Sequence, residues 1–325
     1  MLIAKIQLKQ KKLNMKILGI GNAIVDVICK VQEQYLIDNE LTKGTMKLVD
    51  EIEFQKLLST LKIDKTISGG SVANSIVGLS QLGNSVGFIG KINDDKLGQK
   101  YEEGLVEEKV QYYYKKKEEP LSTGTCLILI TPDAERTMVT FLGIAGKISE
   151  KDINEKAVKE SEVIFLEGYL WDKGEPKNAF DKAMSLSNKK AMSLSDQFCV
   201  NRHKDDFLDL VKNKLDITFA NEQEIKSLID TNNFNEIITF GKQLGKHLII
   251  TRGEKGSVAI NGSNVTECKS KPGLKIVDLT GAGDLFAAGF LHGFINGKST
   301  KDSLEKGTEM SAKIIQKVGA RLNHL

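Results

Sequence analysis

The stretch that most constrains this 325-residue chain is Asp278-Leu279-Thr280-Gly281-Ala282-Gly283-Asp284, which runs directly into Leu285-Phe286-Ala287-Ala288-Gly289-Phe290. Lys275-Ile276-Val277 before it reads as a short strand, and apolar residues after it fill a helix-length segment to about Ile295. The pattern predicts strand, glycine turn and buried helix. Gly281 and Gly283 remove Cβ atoms where a ligand would need to approach the backbone. The first N–H groups of a helix have no internal partners, and with the helix dipole they attract an anion, typically a phosphate. Asp284 falls in that first turn, so one turn offers an anion hole and a carboxylate base. A simple helix cap is the alternative reading of Asp284.

Asp278–Asp284 resembles, over its whole length, the C-terminal signature of the ribokinase-like (PfkB) family of sugar and nucleoside kinases. The resemblance implies that Asp284 is the general base and that the Gly281-Ala282-Gly283 backbone holds the transferred phosphate. It also implies an α/β fold: a three-layer α/β/α sandwich with a central, mostly parallel sheet and a small β-sheet lid.

Composition is compatible with that expectation. The chain is 40% hydrophobic and 27% charged, with a net charge of +3. That charge is too small to argue for nucleic acid, and no basic groove with interleaved aromatics stands out. The four cysteines are scattered without a C-x-x-C pair, which suggests neither a zinc site nor a disulfide framework and suits a reducing cytoplasm. No apolar run approaches the ~18–20 residues of a membrane span. Residues 1–14 carry Lys5, Lys9, Lys11 and Lys12 and are expected to be a solvated tail, with translation starting at Met15 and the kinase domain spanning 15–325.

Taken in order, Met15-Lys16-Ile17-Leu18-Gly19-Ile20 reads as the first strand. Gly19-Ile20-Gly21-Asn22-Ala23-Ile24 fails as a dinucleotide fingerprint, because Ile24 stands where the third glycine belongs. What remains is a turn at Gly21-Asn22, then Asp26 inside an apolar run. Asp26 is either an exposed strand position or a carboxylate for substrate hydroxyls. Gly21-Asn22-x-x-x-Asp26 resembles the opening of adenosine-kinase-type members, which implies that Asn22 and Asp26 meet the ribose. The two lid segments are expected near 30–50 and 110–142, with strands at Thr45–Val49, Thr125–Thr131 and Thr137–Phe141.

Ser68-Gly69-Gly70-Ser71-Val72-Ala73-Asn74 places paired glycines before a helix over Val72–Leu82. It matches the family's first signature, implying that Gly69, Gly70 and Asn74 position the substrate. Arg136 enters a strand after the turn at Asp133. It is an exposed hairpin charge or, by resemblance, a clamp on phosphate oxygens. Strands and helices then alternate, as a parallel sheet requires, from Val163 to Thr251. Tyr169 sits just past the Val163–Leu166 strand, where such sheets bind ligands. The resemblance makes it a base-stacking aromatic; rim packing is the alternative.

Asn221 and Glu224 form a helix-capping pair by spacing. They also match a family motif that implies ATP binding at Asn221 and Mg²⁺ held by Glu224, largely through water. Thr251-Arg252-Gly253-Glu254-Lys255-Gly256 is a hairpin turn or, by resemblance, an ATP-binding turn using Thr251, Gly253 and Gly256. Gly293–Ser299 imitates a phosphate loop but has the wrong spacing and follows a helix, so Gly297 reads as a helix stop. Together these features imply an ATP- and Mg²⁺-dependent kinase acting on a primary hydroxyl, with adenosine's 5′-OH as the expected acceptor and K⁺ near the Asp278 turn as a further implied cofactor. A free sugar such as ribose or fructose is the rival acceptor, and a non-catalytic nucleotide sensor is the rival class. Expected partners are the acceptor and ATP alone, without nucleic acid or membrane, in a monomer or homodimer.

Overall fold

Ile17, Leu18 and Ile20 are fully buried, yet they pack on opposite sides of one sheet. Leu18 and Ile20 join one core cluster and Ile17 the other. Val163–Glu167 divides the same way, Ile164 and Leu166 against Val163 and Phe165. A period of two with both faces apolar is the mark of a sheet covered by helices on each side. The computed structural model, which describes residues 15–133, 135–171 and 175–322, has that three-layer arrangement. The expected tail, residues 1–14, lies outside the described residues.

The large sheet has nine strands. Ile17–Ile20 lies between Val86–Ile89 and Val163–Glu167, parallel to both. Parallel pairing continues through Lys190–Ser193, Ile217–Asn221 and His247–Thr251. Two antiparallel strands, Ser257–Asn261 and Asn264–Cys268, close that edge. Because the central strands run the same way, Asn22, Glu167, Ser193, Asn221 and Thr251 emerge at one end of the sheet, and all five line one cavity. This is where open α/β sheets bind ligands.

A second, five-stranded sheet has the order Met46–Leu48, Arg136–Phe141, Gly124–Ile130, Ile24–Lys30, Lys65–Ser68. It is broader than the expected segments 30–50 and 110–142, since residues 24–30 and 65–68 belong to it. Gln111–Tyr112 does not; it pairs in parallel with Val86–Ile89 at the edge of the large sheet. Tyr112 stacks on Phe88 at 6.5 Å and donates to Gly90 O at 2.6 Å, contacts that draw the aromatic run to that edge. One face of the small sheet, with Val27, Cys29, Leu127, Leu129 and Val139, is covered by Leu36, Phe54 and Leu57 from two helices. Its other face turns Ile24, Asp26, Ile128 and Met138 to the cavity.

One predicted element does not form. Lys275–Val277 forms no strand and bends at Val277. The backbone N–H groups of Val277 and Asp278 instead donate to Ile315 O, at 2.8 and 3.1 Å. The chain thus crosses to the cavity along the end of the last helix without joining either sheet. The helix that follows runs Ala282–Ile295, and Gly297 at φ +66° ends it as the sequence suggests.

Candidate active site

Gly281 caps the N-terminus of the Ala282–Ile295 helix in the left-handed region, φ +77°. A Cβ there would lie 2.8 Å from Ala320 Cα, so both conformation and space require glycine. Gly283 has open space around it. Ala282 lines the same cavity, but its N–H is used locally, on Leu279 O at 3.2 Å. Asp284 follows in the first turn and does more than cap the helix. Its Oδ1 accepts from Ser71 Oγ (2.7 Å) and its Oδ2 from Asn74 Nδ2 (3.0 Å). Ser75 Oγ donates to the Asp284 carbonyl at 2.9 Å. The first turn of the Ser71–Gln81 helix therefore grips the first turn of the later helix. Burial pushes the Asp284 carboxyl up to about 6, against the pull of Ser71, Asn74 and Arg321.

The paired glycines before that helix have separate tasks. A Cβ on Gly69 would come within 2.3 Å of Asp26 Oδ2. Gly70 sits at φ +93°, and a Cβ there would lie 2.3 Å from Asn22 O. Gly69 thus packs behind Asp26, while Gly70, Asn22, Asp26 and Asn74 all line the cavity. Burial raises Asp26 to about 7, opposed chiefly by Arg321.

Asn22 leads to a residue that the sequence did not single out. Its Nδ2 donates to Glu167 Oε1 at 2.9 Å, and Val72 N–H donates to Glu167 Oε2 at 3.0 Å. Asn22 Oδ1 is buried without a partner among the described residues, a free acceptor beside the cavity. Glu167 is 1% exposed, and burial pushes it up to about 7. The available signal was a charged residue ending an apolar strand just before Gly168. Arg321 was also missed; it donates to Asn74 Oδ1 at 2.9 Å and to Gly69 O at 3.2 Å.

Tyr169 lines the cavity, with its backbone N–H on Ser195 Oγ at 3.1 Å. Asn221 and Glu224 form the expected capping box: Asn221 Oδ1 accepts from Glu224 N at 2.8 Å, and Glu224 Oε2 accepts from Asn221 N at 2.9 Å. Both also line the cavity, and burial raises Glu224 to about 7. Thr251 lines it too, whereas Gly253 and Gly256 do not; they shape the hairpin beyond. Gly256, at φ +87°, packs against Cys268 O, which a Cβ would meet at 2.0 Å. Arg136 crosses from the small sheet to the glycine turn, paired with Asp278 and donating to Thr280 Oγ1 at 2.5 Å.

The cavity joining these groups has a volume of about 760 Å³. Among the described residues lining it, Arg136 is the one cation, against Asp26, Asp133, Glu135, Glu167, Glu224, Asp278 and Asp284. Such a site accepts a polyphosphate only with a counter-cation. Glu224, a buried carboxylate in its lining, fits Mg²⁺ held largely through water, which is how that ion prefers to bind.

Four raised carboxyls in one cavity have a measurable consequence. Asp26, Glu167 and Glu224, at about 7, and Asp284, at about 6, keep protons that the unfolded chain, titrating near 4, has released. Folding stability therefore falls as pH rises from about 4 to about 7. His247 and His292, both held below 6.5 by burial, act in the opposite sense but are outnumbered. The expected result is a Tm of the ligand-free protein lower at pH 8 than at pH 5.5, read by calorimetry. A Tm that rises over that interval would contradict the burial of these groups.

A family model described as pfkB family carbohydrate kinase matches residues 47–324. The chain belongs to the pfkB family. Among solved structures, the probable sugar kinase protein from Rhizobium etli CFN 42 is 35% identical, with a TM-score of 0.90 over 96% of each chain. The adenosine kinase from Sinorhizobium meliloti is 34% identical, with a TM-score of 0.90 over 95% of this chain and 96% of that one. The 5-dehydro-2-deoxygluconokinase of Clostridium botulinum is 28% identical over 290 residues, 81% of this chain and 83% of its own. This pfkB member is thus a sugar or nucleoside kinase, a phosphotransferase using ATP, and its relatives span both acceptor classes. No helix among its described residues is long and apolar enough to cross a membrane.

Proposed function

We propose that this pfkB kinase transfers the γ-phosphate of ATP to the primary hydroxyl of a nucleoside, the 5′-OH of adenosine. The observation that carries the choice is the contrast between the two walls of the cavity. One wall holds Asn22, Asn74 and Asp284, joined by Asp26 from the small sheet, acceptors and donors suited to ribose hydroxyls. Apart from Asp26, the small sheet turns apolar side chains to the cavity, Ile24, Met46, Ile128 and Met138, and Leu142 just beyond it extends that surface. A flat base would bury apolar area against it, a gain of roughly 25 cal/mol per Å² that a free sugar forgoes. Tyr169 adds an aromatic face to the same cavity. A gluconate-type acceptor would bring a carboxylate to a cavity whose lining, among the described residues, carries seven carboxyl side chains against one arginine.

In this reading Asp284 takes the hydroxyl proton as the oxygen bonds to phosphorus. With a pKa of about 6 it is ionised at neutral pH. It is a weak base for an alcohol, but a loose phosphoryl transition state lets the proton leave late. Backbone N–H groups at Gly281 and Gly283 and the Arg136 guanidinium face the transferring charge. Asn221 and Glu224 would hold Mg²⁺ through water, and Thr251 with the Gly253–Gly256 hairpin would border the nucleotide. Mg²⁺, when bound, offsets phosphate charge. The small sheet serves as a lid that excludes water from the transfer.

A panel of adenosine, ribose, fructose and 5-dehydro-2-deoxygluconate with ATP and Mg²⁺ tests the acceptor. The expected result is a kcat/KM for adenosine at least ~100-fold above each sugar, the discrimination of a site built for a base. A higher kcat/KM for any of the sugars would overturn the nucleoside reading while leaving the kinase chemistry in place.

A further inference from the structure

The end of the described chain returns to the catalytic turn. Gly319 N–H donates to Asp278 Oδ2 at 2.6 Å. Leu322 is buried with Leu285, Met310 and Ile314, and its carbonyl accepts from Gln81 Nε2 at 2.9 Å. The segment is thereby fixed to the helices that carry Asn74 and Asp284. Between these anchors, Arg321 sends Nε to Asn74 Oδ1 (2.9 Å) and Nη2 to Gly69 O (3.2 Å).

A guanidinium can only donate hydrogen bonds. An amide that gives its oxygen to Arg321 must offer its NH₂ at the other side. There Asn74 Nδ2 meets Asp284 Oδ2 at 3.0 Å. The reversed amide would set NH₂ against the guanidinium and oxygen against the carboxylate, two repulsions in a site of low dielectric.

We propose that Arg321 is a positioning residue for the base: by fixing the orientation of the Asn74 amide, it holds the Asp284 carboxylate ionised and aimed at the acceptor hydroxyl. The proposal rests on Asp284 being that base. The charged and titratable groups around Asp284 are Asp26 from the small sheet and Glu167 and Tyr169 from the end of a large-sheet strand, with Arg136 near Asp26, and those facing Arg321 are Tyr101, which also hydrogen-bonds it, Asp26 and Glu108. Of the two arginines, Arg321 is the one that acts on both Asp284 and Asp26. Losing its charge lets burial push both carboxyls higher.

The test is kcat against pH for the full chain at saturating ATP, Mg²⁺ and adenosine, in wild type, Arg321→Met and Arg321→Lys. Wild type is expected to show an acid limb. In Arg321→Met that limb should move up by at least about half a pH unit, a threefold change in the ionisation constant. In an Asn74→Ala background the same substitution should move it by a smaller amount, because the route through the amide is already gone and only the direct pull of the guanidinium charge on Asp284 is lost. A merely structural role would lower kcat by one factor at every pH. An acid limb unmoved in folded Arg321→Met overturns the proposal. If Arg321→Met does not fold, Arg321→Lys decides, since it keeps the charge but loses the two-armed grip. It should show an upward shift and a lower plateau, and a wild-type profile would overturn the proposal. A wild type without any acid limb would remove the base itself, an outcome distinct from either.

Discussion

Replacing Asp284 with asparagine is expected to lower kcat at least ~100-fold while the protein still folds and binds ATP. Asparagine keeps the size of the side chain. The Ser71 hydroxyl can accept as well as donate, so the new amide can turn its NH₂ to Ser71 and its oxygen to Asn74. What disappears is the proton acceptor. General-base assistance is worth ~10²–10⁴-fold, about 3–5 kcal/mol of barrier. The remaining rate would come from the backbone donors at Gly281 and Gly283 and from bound geometry. The pH profile supplies an internal check. Wild-type kcat should fall as pH drops through about 6, where Asp284 becomes protonated, and the Asp284→Asn residual rate should lack that limb. Turnover near the wild-type level in a folded Asp284→Asn protein would remove the assignment.

Asp26→Asn is expected to lower kcat/KM for the nucleoside by at least ~100-fold, with most of the loss in KM. Asp26 lines the cavity with Gly69 packed tightly against its carboxyl group, which limits how far the side chain can turn away. At pH 8, above its pKa of about 7, Asp26 is ionised; hydrogen bonds from neutral donors to such a charged acceptor contribute ~1.5–3 kcal/mol each, and an adjacent pair of ribose hydroxyls would make two. Steady-state kinetics with adenosine would show the loss, whereas KM for ATP should stay within about twofold of wild type. An unchanged nucleoside KM would place the acceptor elsewhere in the cavity.

Much of this site is legible in the sequence because it is built from local backbone devices. Glycines before a helix announce themselves in a single chain, and both such places were readable without coordinates. The structure adds that they meet: Asn74 and Asp284, 210 residues apart, share a hydrogen bond. Asn221 and Glu224 were legible for the same reason, since a capping box is a spacing of three. Glu167 and Arg321 were not legible. Each gains its role from partners brought near by folding, Asn22 and Val72 for the first, Asn74 and Gly69 for the second. Lys275–Val277 misled in the other direction. Its apolar, β-branched character suits a strand, but folding gives its backbone N–H groups to Ile315 O instead, a distant partner that local pattern cannot report. The Tyr112 run likewise fits either sheet until its stacking with Phe88 is seen.

The most direct test of the account follows labelled γ-phosphate from ATP in the presence of Mg²⁺ and adenosine, in wild type and Asp284→Asn side by side. The account predicts that wild type places the label on the 5′-oxygen, one phosphate per ADP formed, and that the variant does so at least ~100-fold more slowly with unaltered ATP binding. Label that stays off the nucleoside, or that reaches it equally fast in both proteins, would contradict it.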